Sequence, residues 1–361
     1  MSDWTRHHPP GQIGGTVGIS ADPPQIDDGA LVERIIAAFR RANQAPTSSA
    51  PSIWTTWIAD AKQAEHRILL EGSDVEVAQM LRDPGQTQLF LGFDNLVRNN
   101  PWGDLDDPGG GRETMRQWSY DCLLRLAEAV GSVPLAHPEE LPRPIRDVEE
   151  LLTGLDTAFG FPIRFPNPFP GEVGLQTARG VATFLAIQAL YQAWHMFQLI
   201  NQKPSAKILE IGAGLGRVAY FVRQFGLSNY TIIDLPLTSA AQAYFLGTVL
   251  SPDTLRLFGE THAAPLAILP PSSFLTADDR YDLILNADSM TEMGLSTARN
   301  YWHAIKHQTP LFLSINHEQN EFTVREIITA TPGLKISRAP YWLRRGYVEE
   351  LVEIAGDEAA L

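Results

Sequence analysis

The sequence predicts an α/β protein, with a mostly parallel seven-stranded sheet, helices on both faces, and a helical region in front of it. Three observations carry that expectation. The run Lys207-Ile208-Leu209-Glu210-Ile211, apolar at Ile208, Leu209 and Ile211, leads into glycines at alternate positions, Gly212, Gly214 and Gly216, and then into helix-compatible Val218 to Val222. That order reads as strand, tight turn, helix. Downstream, short apolar runs and helical patterns alternate to the end of the chain, which implies a Rossmann-like sheet wound on both sides. Upstream, apolar residues recur at helical spacing instead.

Taken in order, residues 1–28 are rich in Gly, Pro and Asp without periodicity, and read as a loose arm. Residues 29–157 read as a helical domain. Leu31, Ile35, Ile36 and Phe39 form one apolar stripe, and Trp54, Trp57, Ile58 and Ala61 a second. Met115, Trp118, Cys122, Leu123 and Leu126 form a third. Pro84-Gly85, Pro101-Trp102-Gly103 and Asp107-Pro108-Gly109-Gly110-Gly111 break the helices, and four prolines in 134–144 suggest a stiff linker. The aromatic residues of these stripes read as core in preference to a sugar platform. Residues 158–361 form the remaining domain. It opens with an irregular loop, 167–174, after which Thr177 to Gly180 begin a helix through about 200, ended by Lys203-Pro204. Helix 215–225, strand 230–234 and helix 238–250 follow. The third strand lies at 256–257 or at 266–269. Strand 281–286, helix 297–306, strand 310–315, helix 323–331 and strand-like pieces at 335–337 and 347–354 complete the pattern.

Composition narrows the class. The chain has 361 residues, a net charge of −14 and one cysteine, Cys122. A lone cysteine provides no disulfide framework and reads as a small buried apolar residue. Neither a signal-like apolar core nor a bilayer-length apolar stretch is present, so the expectation is a cytoplasmic enzyme without membrane insertion. The acidic balance disfavours nucleic acid or an anionic membrane as partner.

The glycine spacing selects the cofactor. A dinucleotide fold wants G-x-G-x-x-G, whose third glycine would fall on Arg217, and no Lys-Ser/Thr follows for a phosphate-binding loop. Asp234 closes the next strand, where an acid can hydrogen-bond ribose hydroxyls. An adenosine-type cofactor is therefore expected. E-x-G-x-G-x-G followed by that acid resembles motifs I and II of class I S-adenosylmethionine methyltransferases. The resemblance implies S-adenosyl-L-methionine held by Glu210, Gly212, Ala213, Gly214, Gly216, Asp234, Leu235 and Asn286.

Ligands of open α/β sheets bind beyond the carboxyl ends of the strands. The fourth strand ends in Asn286-Ala287-Asp288-Ser289 with Glu292 beyond it, and the fifth in Asn316-His317-Glu318. Asp288 and His317 are the candidate bases for a hydroxyl acceptor, with His262 in reserve. Thr177, Arg179, Glu292 and Glu318 are the substrate candidates. Asp288, Glu292, His317 and Glu318 are also donors that a divalent ion such as Mg²⁺ accepts, although no ligand spacing forces a metal.

Four strings sharpen the resemblance: Asn-Pro-Phe-Pro-Gly-Glu-Val-Gly with Thr177 to Gly180, Leu-Glu-Ile-Gly-Ala-Gly-Leu-Gly-Arg-Val-Ala-Tyr, Asn-Ala-Asp-Ser-Met-Thr-Glu-Met, and Ser-Ile-Asn-His-Glu. Together they resemble the bacterial sugar O-methyltransferases over residues 159–354. The resemblance implies methylation of a hydroxyl of a sugar or oligosaccharide, such as a mannoside or glucoside in actinobacterial polysaccharide biosynthesis. Tyr341, Trp342, Arg344 and Arg345 are further groups suited to a sugar. A small aromatic or amine metabolite is the alternative acceptor, and a non-enzymatic interaction module a more distant reading. The helical region is expected to cover the acceptor side or to form a homodimer contact.

Overall fold

The computed structural model describes residues 14–21, 27–44, 51–94, 111–135 and 145–354. The breaks expected at 101–103 and 107–110, and most of the proline-rich 134–144, lie outside them. Among the described residues, six α-helices precede residue 160: α1 (Gly29–Ala42), α2 (Trp57–Ala61), α3 (Gln63–Glu71), α4 (Asp74–Arg82), α5 (Gly111–Ala129) and α6 (Val148–Phe159). Strand β1 (Val17–Ile19) falls within the stretch read as a loose arm. It pairs antiparallel with β2 (Val173–Thr177), which pairs with β3 (Gly180–Ala182).

The segment expected to open a helix at Thr177 is this β2–β3 hairpin. The Thr177 hydroxyl donates to the Gly180 carbonyl at 2.6 Å and accepts from the Arg179 N–H at 2.9 Å. Gly180 has φ +112°, and a Cβ there would lie 2.2 Å from the Phe165 carbonyl oxygen. Helix α7 (Phe184–Leu199) begins only after Thr183, whose hydroxyl accepts from the Ala186 N–H at 3.2 Å. A β-region Thr with a free acceptor is a better N-cap than a turn already closed on itself.

The large sheet contains β4 (Ile208–Ile211), β5 (Tyr230–Ile233), β6 (Leu255–Leu257), β7 (Leu266–Leu269), β8 (Leu283–Ala287), β9 (Leu311–His317), β10 (Lys335–Pro340) and β11 (Tyr347–Glu353). Their spatial order is β10-β11-β9-β8-β4-β5-β7-β6. Only β11 is reversed, pairing antiparallel with β9 and β10. Among the described residues this sheet has eight strands where the sequence predicts seven, because both alternative positions for the third strand form and pair in parallel. Helices α8 (Arg217–Gln224), α9 (Pro236–Val249), α10 (Pro271–Leu275), α11 (Leu295–Gln308) and α12 (Val324–Ile328) connect them.

Strand alternation divides the core. Ile208, Ile232, Leu285 and Leu313 point into one buried cluster, and Leu209, Ile233, Ile284 and Phe312 into another on the opposite face. The first cluster continues without a break through α7, α8 and α9 into Leu31, Leu69, Leu81, Leu126 and Leu152 of the helical region. That region thereby sits against the sheet next to the carboxyl end of β4. Cys122 is buried in the same cluster, as expected. No helix among the described residues is long and apolar enough to cross a membrane.

Candidate active site

The three glycines after β4 have separate tasks. All adopt positive φ: +73° at Gly212, +58° at Gly214 and +86° at Gly216. A Cβ on Gly212 would lie 2.2 Å from Ser289 Oγ, so that glycine lets the β4 and β8 ends approach. Gly216 is the N-cap of α8. A Cβ on Gly214 would meet only Phe93, at 3.7 Å or beyond, so its free side opens onto a cavity of about 550 Å³. Bare backbone facing open space is what a close-fitting ligand requires.

That cavity is lined by Glu210 to Leu215, Asp234 and Leu235 at one end and by Ala287, Asp288, Ser289 and Glu292 at the other. Asp234 Oδ1 accepts from the Leu235 N–H at 2.7 Å, and Oδ2 accepts from Gln242 Nε2 at 2.6 Å. Gln242 Nε2 also donates to the Gly214 carbonyl at 2.9 Å, tying the acid to the loop. Burial pushes the Asp234 carboxyl up to about 6, against the pull of these hydrogen bonds and of Lys62. Glu210 is buried and receives the Tyr230 hydroxyl at 2.8 Å. Burial raises its carboxyl to about 8.

Asp288 closes β8 in a left-handed conformation, φ +57°, unusual for a residue with a Cβ. Its Oδ2 accepts from the Tyr347 hydroxyl at 2.7 Å and from Arg344 Nη1 at 3.2 Å. Its Oδ1 is shielded, has no hydrogen-bond partner and lies 3.8 Å from His317 Nε2. The His317 ring packs edge-on against Tyr347, and its Nδ1 accepts from the Gln319 N–H at 3.2 Å. That bond assigns the neutral ring's proton to Nε2. Glu292 lines the cavity and accepts from Trp54 Nε1 at 2.8 Å.

Donor atoms of Asp288, Glu292 and His317 lie within 4.8 Å of one another. The trio nevertheless does not fit a divalent ion. The Arg344 guanidinium already neutralises Asp288, and the His317 nitrogen facing it carries a proton instead of a free lone pair. Glu318, the fourth donor considered, is paired with Arg338 at 2.8 Å.

Other candidates are engaged elsewhere. Asn286 is fully buried and does not line the cavity. Its Nδ2 donates to the Ile211 carbonyl at 3.0 Å and to Ser289 Oγ at 2.6 Å, and its Oδ1 accepts from Asn316 Nδ2 at 3.0 Å. It clamps three strand ends. Thr177 holds the β2–β3 turn, and Arg179 pairs with Asp156 at 2.5 Å, neither on the cavity wall. His262 Nε2 donates to the Leu255 carbonyl at 2.9 Å beside the edge strand β6. Arg344 does line the cavity, whereas Tyr341 is buried and the exposed Trp342 stacks with Arg125.

Sequence reasoning missed two groups. Arg217 is a buried hub that donates to Asp94 and, at 2.5 Å, to Glu172 of the 167–174 loop, which Asn167 also holds. Burial, with Asp94 close by, pushes the Glu172 carboxyl up despite Arg217. The trio fastens the glycine loop to the helical region. The second group is Trp54, Phe93 and Lys62. Trp54 and Phe93 line the cavity, and the buried Lys62 Nζ lies 5.5 Å and 4.6 Å from their ring centroids without a hydrogen-bond partner.

No protein-family model and no curated protein matches this chain. Among solved structures it is similar to the glycopeptide N-methyltransferase MtfA complexed with sinefungin, at 12% identity over 46% of this chain and 94% of that one, TM-score 0.36. TrmN from Thermus thermophilus gives 16% identity over 64% and 78%, TM-score 0.36. Magnesium protoporphyrin IX methyltransferase (ChlM) from Synechocystis PCC 6803 with bound SAM gives 11% over 46% and 83%, TM-score 0.34. Likeness this slight assigns no substrate.

Proposed function

We propose that this chain is an S-adenosylmethionine-dependent O-methyltransferase acting on a sugar hydroxyl. The observation that carries the reading is that a single cavity joins Gly212 to Leu215 and Asp234 at one end to Asp288 and Glu292 at the other. The first end suits an adenosine cofactor. Open backbone at Gly214 admits close contact, and the Asp234 carboxylate faces a space suited to a ribose diol. Bound there, the cofactor supplies a methyl carbon on a sulfonium. The protein's part is to bring a nucleophilic oxygen in line with that carbon and to remove its proton.

A sugar is favoured by the other end. Gln188, Gln192, Asp288, Glu292, Arg344 and Tyr347 put hydrogen-bonding groups on the wall, beside the aromatic surfaces of Trp54 and Phe184. Hydroxyl-rich ligands need that mixture. Phe93, Leu185, Ala189 and Met293 supply apolar wall as well, which keeps a small aromatic acceptor as the second reading.

Calorimetric titration with S-adenosylhomocysteine tests the cofactor half, and absence of binding sinks the whole proposal. Methyl-labelled S-adenosylmethionine offered with a panel of glycosides, catechols and amines tests the acceptor half. Label on glycosides is the expected result. Label on catechols or amines alone overturns the sugar assignment while leaving the cofactor site intact.

A further inference from the structure

We propose that Glu292 is the group that takes the proton from the acceptor hydroxyl, and that Trp54, reaching across from the helical region, tunes it. The inference rests on the methyl-transfer reading above. Its ground is which oxygen or nitrogen in the acceptor end is free to receive a proton.

Three candidates converge there. His317 presents Nε2 toward Asp288, but its Nδ1 accepts a backbone N–H, so Nε2 is the protonated nitrogen and has no lone pair to offer. Asp288 has one oxygen held by the Tyr347 hydroxyl and Arg344, and the other shielded from contact. Glu292 differs from both. Its carboxylate lines the cavity, its Oε2 is fixed by the Trp54 indole N–H at 2.8 Å, and no hydrogen bond reaches its Oε1. One oxygen is anchored and the other is available, which is the geometry of a positioned base.

The surroundings suit the task. From the β8 end Asp288 places a like charge near Glu292. From the β11 side Arg344 and the Tyr347 hydroxyl engage that aspartate, and from the β9 end His317 stands behind it. From the helical region come Trp54 and, against its ring, Lys62. Burial first, then Asp288, pushes the Glu292 carboxyl up to about 7, with the Trp54 hydrogen bond and Arg344 acting the other way. An ordinary exposed glutamate is too weak a base for a sugar hydroxyl, and one poised near neutral pH is better matched.

The step balances. The acceptor O–H proton passes to Glu292 Oε1 as an oxygen lone pair forms the new O–CH₃ bond. The C–S pair leaves with sulfur, turning the sulfonium into the neutral thioether of S-adenosylhomocysteine. Glu292 then releases its proton to solvent.

The test uses the full chain, with kcat against pH read on whichever panel compound takes the label. Glu292→Gln should bind S-adenosylhomocysteine within about threefold of wild type and lose about 10²–10⁴-fold in kcat. Trp54→Phe removes a donor that favours the charged carboxylate, so the acidic limb of its kcat profile should move to higher pH. Glu292→Gln turning over within about tenfold of wild type overturns the proposal. So does an unmoved acidic limb in Trp54→Phe, which decides the matter if the glutamine variant does not fold. Wild type that binds no S-adenosylhomocysteine, or labels nothing, refutes the methyl-transfer reading itself.

Discussion

Lys62 should be a measurable burden on the free protein. Only 3% exposed, it lies against Trp54 and Phe93 with no hydrogen-bond partner for its ammonium. Burial drives its pKa from 10.5 down to about 7, despite the attraction of Asp234 and Glu65. At about 1.4 kcal/mol per tenfold change in proton affinity, that displacement sets a ceiling of about 5 kcal/mol on the cost. Lys62→Met keeps the unbranched stem against the rings and removes the charge. It also forfeits a cation–ring attraction of about 1–2 kcal/mol. The net expectation is a gain of about 2–4 kcal/mol in urea unfolding of the ligand-free protein at about pH 6. Its pH dependence has a fixed sign. A base whose folded pKa is depressed costs stability most below about 7, where the folded state must bury the charge or forgo the proton. That cost fades between about 7 and 10.5, so the advantage of Lys62→Met should shrink toward zero near about pH 10. Destabilisation by this substitution, or a gain equal at both pH values, would refute the placement of a bare ammonium behind the cavity wall.

Three further outcomes are expected. Gly214→Val puts a β-branched side chain at φ +58° and into the open side of the loop, so S-adenosylhomocysteine binding by calorimetry should be lost. Gly214→Ala should fold and still bind at least tenfold more weakly, by about 1.4 kcal/mol or more. Arg217→Met removes the buried cation shared by Asp94 and Glu172 and should cost about 3–5 kcal/mol in chemical denaturation. Prolonged chelation should leave turnover unchanged, because Arg344 already holds the charge position that a divalent ion would take beside Asp288. A loss restored by Mg²⁺ would contradict that reading.

The sheet was legible because its signals are local. Alternation of apolar runs and helical patterns needs no partner to be recognised, and each expected strand after Gly216 lies within a few residues of its place. The errors arose where a segment is defined by something distant. Thr177 to Gly180 has residues that suit a helix start, yet the hairpin is dictated by Phe165, whose carbonyl fits only against a glycine. The two third-strand positions look mutually exclusive in the sequence. Sequence gives no sign that Leu255–Leu257 extends the sheet beyond Leu266–Leu269, since edge pairing is decided by the chain's path between them. Asn286 stands at a strand end among ligand candidates, but a strand-end amide can as well bind neighbouring strand ends, and here it does, at the Ile211 carbonyl and the Asn316 amide.

The site was half legible for the same reason. Glycine spacing and a strand-closing acid are properties of one short stretch, and Gly214 and Asp234 line one end of the cavity. The opposite wall is assembled across the chain. Trp54 belonged to an apolar stripe, and nothing in that stripe distinguishes a core indole from one whose N–H reaches Glu292, 238 positions away. Asp94 carries no motif at all until Arg217 is seen to face it. Asn167, Glu172 and Arg217 offered the one available clue, because they fall within two of the strings that carried the family resemblance. Their contact gives those strings a physical meaning: an arginine replaces the last glycine of a dinucleotide motif and fastens the glycine loop to a distant loop and to Asp94. The helical region is therefore joined to the cavity by charge at Arg217 and by an indole hydrogen bond at Glu292. A change in how that region docks would reach the glycine loop and the acceptor end together.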